Sequence, residues 1–294
     1  MCLKGTLLGS TNIRQNYNYM FAYLTFLSNR NYLDGVLTLC KSLHLVKSQY
    51  PLYCLLSMNV ETDVINVLRT NGIECIQLKE CVTSDQSVNS LQWALNWNYT
   101  FDKLYMWGLT QFKKIVFIDA DMIVTANIDH LFEKKAFSAA LAGVLFPTGK
   151  DIKILNSGLM VVEPSSEILE RLLKIAKELI PEMKRKGLPV GDQDIINAYV
   201  PDWFEHKDLI LDDAYNLYAH YLQCYMRHHN YSFNPGKGKQ IHIIHYVGVQ
   251  KPWHIVTVKQ FVKMCMMSWP NLYYILAYFK FKKIQRQVVV NNNC

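Results

Sequence analysis

The sequence predicts an α/β fold in which helices flank a central, mostly parallel sheet. Two observations carry this: β-branched and aromatic runs alternate with helical spacings through the first 130 residues, and the last such run ends in two carboxylates. Tyr19 to Leu27 (YMFAYLTFL) reads as the first strand. Tyr32 to Lys47 follows as a helix, with Leu33, Val36, Leu37, Cys40 and Leu43 at helical spacing. YPLYCLLS is the second strand, Glu61 to Asn71 a helix closed by Gly72, and IECIQL the third strand. Leu104 to Gln111 reads as a helix leading into the strand IVFIDAD. This βαβαβ rhythm implies a doubly wound sheet with its ligand at the carboxyl ends of the strands.

Asp119 and Asp121 end the apolar run Ile115 to Ile118 with no basic residue beside them in the chain. Strand alternation puts both on one side. Like charges that close repel, and one would be protonated unless a cation or strong donors compensate. A divalent metal meets that need. The alternative, an Asp capping a helix, is opposed by Met122 to Val124, which continue the apolar run instead of opening a polar first turn.

Composition fits an enzyme of ordinary size. Half of the 294 residues are hydrophobic, enough to bury one large α/β domain or a domain with an appendage. The 31 basic and 24 acidic residues leave a net charge of +7, which suits a phosphorylated small substrate or an anionic surface. No Lys/Arg block or basic aromatic stripe argues for nucleic acid. Neither GxGxxG nor GxxxxGK[ST] occurs, so those two modes of phosphate binding are excluded. Eight scattered cysteines without a CxxC point to a reducing compartment. With a polar stretch from Met1 to Gln15 and no apolar run long enough to span a bilayer, the expected location is cytoplasmic, and the sequons at Asn98 and Asn230 read as chance.

Four further segments carry information. Between Lys79 and Lys103 the pattern breaks into CVTSDQSVNSLQWALNWNYTFD, polar and then aromatic, the character of a lid or binding loop. Ile154 to Ser165 is an apolar strand interrupted by a turn-forming Asn156-Ser157-Gly158. Val190 to Val200 opens a helix with Asp192 and Gln193 at its start, where both can point into a cleft. Ile241 to Trp253 is a strand bearing His242 and His245, followed by a Gly turn, Lys251 and a Pro-Trp stop. Singly these are a bulge, a cap and core histidines. Their order together is informative.

The ordered set FIDAD, NxxHLF, NSGxMVxxPS, GDQxxxN and HYxGxxKPW resembles glycosyltransferase family 8, covering roughly Tyr23 to Trp253. The resemblance implies a single GT-A type domain, a Rossmann-like nucleotide-sugar-binding fold, over residues 19–258; the remaining 259–294 read as a C-terminal amphipathic basic helix and tail. It implies retaining transfer of a hexose, glucose or galactose, from a UDP-sugar to a hydroxyl acceptor, with Mn²⁺ or Mg²⁺. By the same resemblance Asp119 and Asp121, with Ala120 between them, are the metal-binding pair and His245 the third protein ligand. Asn29 and Tyr32 fall in the uridine pocket, and Lys103 beside the nucleotide-sugar. Asn156 and Ser157 contact donor sugar or acceptor, Asp192 and Gln193 stand at the reacting sugar, and Gly248 and Lys251 bind the diphosphate.

Two departures from the family stand out. Glu80 to Asp102 carries no basic residue for the donor phosphates. The segment AHYLQCYMRHHNYSFNPGKG differs from the YSYLPAF-like stretch of glycogenin, the self-glucosylating relative, so a polyol or glycan acceptor competes with a protein tyrosine; Tyr225 or Tyr231, expected on the surface near the metal, is the attachment site if one exists. The tail from Val262 to Arg286 places Leu272, Ile275, Leu276 and Phe279 at helical spacing ahead of Lys280, Lys282, Lys283 and Arg286. That arrangement fits an anionic membrane surface, but a terminal helix packed on the domain or on a second subunit is the reading its spacing favours. The competing functions are a catalytically silent nucleotide-sugar-binding protein and a nucleotidyltransferase.

Overall fold

The four apolar runs of the first 130 residues pair side by side. The computed structural model describes residues 20–92, 94–142, 153–269 and 272–288, and everything below refers to these. The strands are β1 (Phe21–Leu27), β2 (Leu52–Leu56), β3 (Glu74–Gln77) and β4 (Lys114–Ile118), with α1 (Leu33–Leu45) and α2 (Thr62–Thr70) as crossovers. All four run parallel in the order β3-β2-β1-β4. Two further strands, β6 (Ala139–Leu141) and β7 (Leu155–Val162), complete a six-stranded sheet in antiparallel fashion beyond β4. The predicted mostly parallel α/β sheet is observed. Tyr19, the expected first residue of β1, the N-terminal stretch and the residues from 289 onward lie outside the described residues.

The strand IVFIDAD ends earlier than predicted. Ile118 is its last residue, and β5 (Met122–Val124) belongs to a second sheet of three strands, pairing antiparallel with β11 (Ile243–His245), which in turn pairs with β8 (Leu217–Tyr218). Asp119 to Asp121 therefore form the turn between two sheets. The backbone N–H of Asp119 still donates to Gly158 O (2.8 Å), and Met122 N closes the turn on Asp119 O (3.2 Å). Strand alternation does not govern this pair; the turn does.

The second half places α3 (Ser166–Lys186), which has no counterpart among the predicted elements, across one face of the large sheet. It is followed by α4 (Asp192–Tyr199), α5 (Leu222–His228), a small ribbon of β9 (Tyr231–Ser232) and β10 (Lys239–Gln240), then α6 (Val258–Ser268) and α7 (Tyr273–Gln285). The predicted helix 104–111 is instead a run of tight 3₁₀ turns at Phe101–Gly108. One apolar cluster joins the sheet to α1 and α2, a second joins its other face to α3 and α4, and a third surrounds β11. The tail packs on the body, as its spacing suggested, but of the predicted stripe only Ile275 is buried: α7 packs through Ile275, Ala277, Phe281 and Ile284, while Leu272, Leu276 and Phe279 stay exposed. No helix among the described residues is long and apolar enough to cross a membrane.

Candidate active site

A cavity of about 530 Å³ opens at the carboxyl end of β4. Its wall includes every residue singled out above for the site except Asn29. Asn29 is spent locally: its Oδ1 accepts from Asn31 N (3.0 Å) and its Nδ2 donates to Ser28 Oγ (3.0 Å), and Ser28 reaches the cavity instead. Tyr32 follows from the same turn, its ring edge-on to Trp253 at 5.6 Å between centroids.

Three potential ligand atoms, one each from Asp119, Asp121 and His245, lie within 4.8 Å of one another. His245 arrives from β11, paired with β5, so the two-sheet turn itself brings imidazole and carboxylates together. The His245 Nδ1 contacts Asn216 Oδ1 at 2.8 Å. An amide oxygen can only accept, so Nδ1 donates this bond and Nε2 is the ring atom turned to Asp121, 3.2 Å away. Two carboxylates and one oriented imidazole are a donor set suited to a divalent cation such as Mn²⁺ or Mg²⁺, so the residues present fit the metal that the sequence implies.

The basic partners missing beside Asp119 in the chain arrive from elsewhere in the fold. Lys251 Nζ sits 2.5 Å from Asp121 Oδ2 and donates to Tyr246 O at 3.0 Å. Lys103 Nζ bridges Asp119 (3.0 Å) and Asp192 (2.8 Å). Burial pushes the Asp121 carboxyl up, but the Lys251 ammonium and the His245 ring outweigh it and hold the group well below the usual carboxylate range. Asp119 goes the other way: burial raises it beyond what Lys103 recovers. Burial also works against the charge on Lys103, yet Asp119 and Asp192 together hold it protonated.

Across the cavity, α4 begins with Asp192, which is buried, and Gln193. Gln193 Oε1 accepts from Asn156 Nδ2 (3.0 Å) and Ser157 N (3.2 Å), leaving its amide nitrogen free of these bonds. Asn156, Ser157 and Gly158 do not interrupt a strand; all three lie inside β7. The glycine is needed for space, because a Cβ at position 158 would stand 2.9 Å from the His245 ring and 2.8 Å from Asn156 Oδ1. Gly248, at the cavity mouth, has a φ of 100°, which a residue with a side chain rarely adopts.

The aromatic segment expected as a lid or binding loop lines the cavity and is tied to the body by hydrogen bonds. Asn89 is buried and exchanges two hydrogen bonds with Val190 just before α4, and the Asn98 side chain bonds the Asn89 backbone twice. Asn98 is therefore enclosed, and its sequon is not available to a glycan in the folded chain. Trp97, Tyr99 and Thr100 from this wall face the cavity, as does Tyr218 from β8, whose hydroxyl lies 3.2 Å from Asn156 Nδ2. Neither Tyr218 nor the histidine-orienting Asn216 was singled out from the sequence, and no spacing signal marks them.

Tyr225 and Tyr231 are not on the surface. Both are buried, and the Tyr231 hydroxyl donates to Asp212 Oδ1 at 2.6 Å. Neither reaches the cavity wall.

Residues 23–257 match the family model described as glycosyl transferase family 8. The chain belongs to this family. Glycogenin-1 of Mus musculus is 31% identical over 235 residues, covering 79% of this chain and 65% of the mouse protein. Glycogenin-1 of Caenorhabditis elegans is 31% identical over 242 residues, covering 79% of this chain and 51% of the nematode protein. This family 8 chain thus spans between half and two thirds of the length of those relatives. Among solved structures, the galactosyltransferase LgtC with donor and acceptor sugar analogs superposes with a TM-score of 0.60 at 15% identity, covering 91% of this chain and 96% of that one. The glycosyltransferase GlyE of Streptococcus pneumoniae gives 0.52 at 21% identity, covering 90% and 64%. These establish the GT-A fold.

Proposed function

We propose that this family 8 chain is a retaining hexosyltransferase that moves glucose or galactose from a UDP-sugar to a hydroxyl acceptor. Residues 19–258 are the catalytic unit in this reading, and 259–294 an appended tail. The observation that carries it is the meeting, in one cavity, of Asp119, Asp121 and His245 with Asp192 and Gln193. The three ligand residues would hold Mn²⁺ or Mg²⁺, which supplies positive charge for the departing diphosphate.

The rest of the chemistry belongs to the chain. Lys251 and the Gly248 turn offer an ammonium and an open backbone to the diphosphate. Lys103 fixes the Asp192 carboxylate by a 2.8 Å contact, so that it faces developing positive charge on the sugar without rotating away. Gln193, pinned through its oxygen, presents its N–H groups to a sugar hydroxyl. Retention follows when the acceptor attacks from the face the diphosphate is leaving and the departing phosphate takes its proton. Tyr218 and the Trp97–Tyr99 wall are apolar and aromatic surfaces of the kind that stack on sugar rings.

A cytoplasmic site of action is part of this proposal, supported by Cys54 and Cys75, which face each other across β2 and β3 as free thiols. The test is UDP release from a panel of UDP-sugars with Mn²⁺, with and without polyol and glycan acceptors. UDP-sugar binding without release from any donor would instead support the silent nucleotide-sugar-binding reading.

A further inference from the structure

Helix α6 carries an apolar row that none of the described residues covers. Val258, Val262, Met266 and Trp269 follow at spacings of four, four and three residues, which places them on one side of the helix. They are exposed by 81%, 49%, 74% and 74%, and Ile255 just before them by 92%. Phe261 turns inward and meets Phe279 of α7 at 6.3 Å between centroids, so the half-exposed Leu276 and Phe279 of α7 adjoin the same region. The exposed Lys259 and Lys263 flank the row on α6, and the exposed Lys283 and Arg286 end α7. The charge is lopsided far beyond this hairpin: after Asp213 the chain has ten Lys or Arg residues and not one Asp or Glu.

We infer that the α6–α7 hairpin rests on an anionic lipid surface, with Val258, Val262, Met266 and Trp269 inserted at the headgroup boundary and the lysines against lipid phosphates. A helix with an apolar row, flanking lysines and an exposed tryptophan lies in the interface plane, held by both buried apolar area and charge. A protein partner of ordinary mixed charge would leave the exposed Lys259, Lys263, Lys283 and Arg286 of the hairpin without acidic partners, whereas a negative leaflet matches them. The inference stands independently of the sugar transferred.

The test is flotation of the full chain with vesicles of phosphatidylcholine alone and of phosphatidylcholine with phosphatidylserine. Binding is expected to the second only, to weaken with salt, and to shift Trp269 emission to the blue, the shift being absent in Trp269→Phe. Lys259→Gln with Lys263→Gln should weaken binding roughly thirtyfold, at about one kcal/mol per basic residue. Val262→Glu with Met266→Glu, both at exposed positions, should abolish binding while leaving the thermal midpoint and UDP binding unchanged. Three results overturn the inference: no binding to anionic vesicles, binding that survives Val262→Glu with Met266→Glu, or a concentration-dependent dimer that this pair of substitutions dissolves in a chain that ignores vesicles.

Discussion

Lys251 Nζ lies 2.5 Å from Asp121 Oδ2, with both side chains nearly closed off from solvent. One lysine thus neutralises the carboxylate that the metal reading also requires. The two roles compete for the same oxygen, and the position of Lys251 is expected to depend on what occupies the site.

Lys251→Ala should separate these roles. Losing the ammonium removes a competitor for Asp121, so Mn²⁺ alone is expected to bind more tightly. Losing its charge beside the diphosphate should weaken UDP binding in the presence of Mn²⁺. Isothermal titration of each ligand reads both signs; a variant that weakens Mn²⁺ and UDP alike would assign Lys251 only a structural part.

Asp121→Asn should end metal-dependent transfer while the chain stays folded. The residue sits in the turn after β4, outside the apolar clusters, and the substitution conserves its shape. Titration showing undiminished Mn²⁺ affinity in a folded variant would falsify its assignment as a ligand.

Gly158→Ala tests the close packing of β7 against the histidine. The added methyl would meet the His245 ring at 2.9 Å and Met122 Cε at 2.8 Å, so the ring must shift. A stability loss of about 1–3 kcal/mol is expected from such overpacking. Metal affinity should fall with it. Denaturant melts and Mn²⁺ titration check the two effects separately.

Asp129, in the NxxHLF motif, has a structural part instead. Its carboxylate accepts from the hydroxyls of Tyr23 and Ser48 (2.8 Å each), Gln49 N (3.0 Å) and Asn127 Nδ2 (3.1 Å). Burial pushes this carboxyl up, but those donors outweigh it and hold it below the usual range. A lowered folded-state value means the stabilisation is present above the unfolded value of about 4 and is lost as pH falls through the folded one. Asp129→Ala, which strands the fully buried Tyr23 hydroxyl, should cost about 1–3 kcal/mol at neutral pH. Urea midpoints of wild type and variant are expected to converge toward acid pH. A gap that stays constant would mean the carboxylate charge is not what matters.

Local pattern carried far into this fold, and failed where contacts are distant in sequence. The strands β1 to β4 and the helices α1 and α2 are written in apolar spacing, and so were found to within a few residues. The aspartates of FIDAD announced a cation site because two adjacent carboxylates demand compensation wherever they occur. Lys103 and Lys251 are site residues by the family resemblance, but their pairing with these aspartates is not legible, because they lie 16 and 130 residues away from the carboxylates they meet. Asn216 escaped for the same reason, since orienting His245 depends on how β8 and β11 align. The Asn156-Ser157-Gly158 stretch misled because these types usually make turns, whereas here a strand tolerates them to make room for an imidazole.

The last prediction concerns self-glycosylation. Tyr225 and Tyr231 are the tyrosines that the sequence nominates, yet both are buried, and burial first, then Asp213 for Tyr225 and Asp212 for Tyr231, raises their hydroxyls far above the usual tyrosine value. A buried hydroxyl already donating to Asp212 is a poor nucleophile and does not reach the cavity wall. Incubation with UDP-glucose and Mn²⁺ is therefore expected to leave no sugar on either residue. Intact mass followed by peptide mapping decides it. A hexose increment that vanishes in Tyr225→Phe or Tyr231→Phe, with the fold preserved, would show that the segment opens far enough to bring one of them to the donor. An unchanged mass, alongside transfer to an added polyol or glycan, would place the acceptor outside the chain.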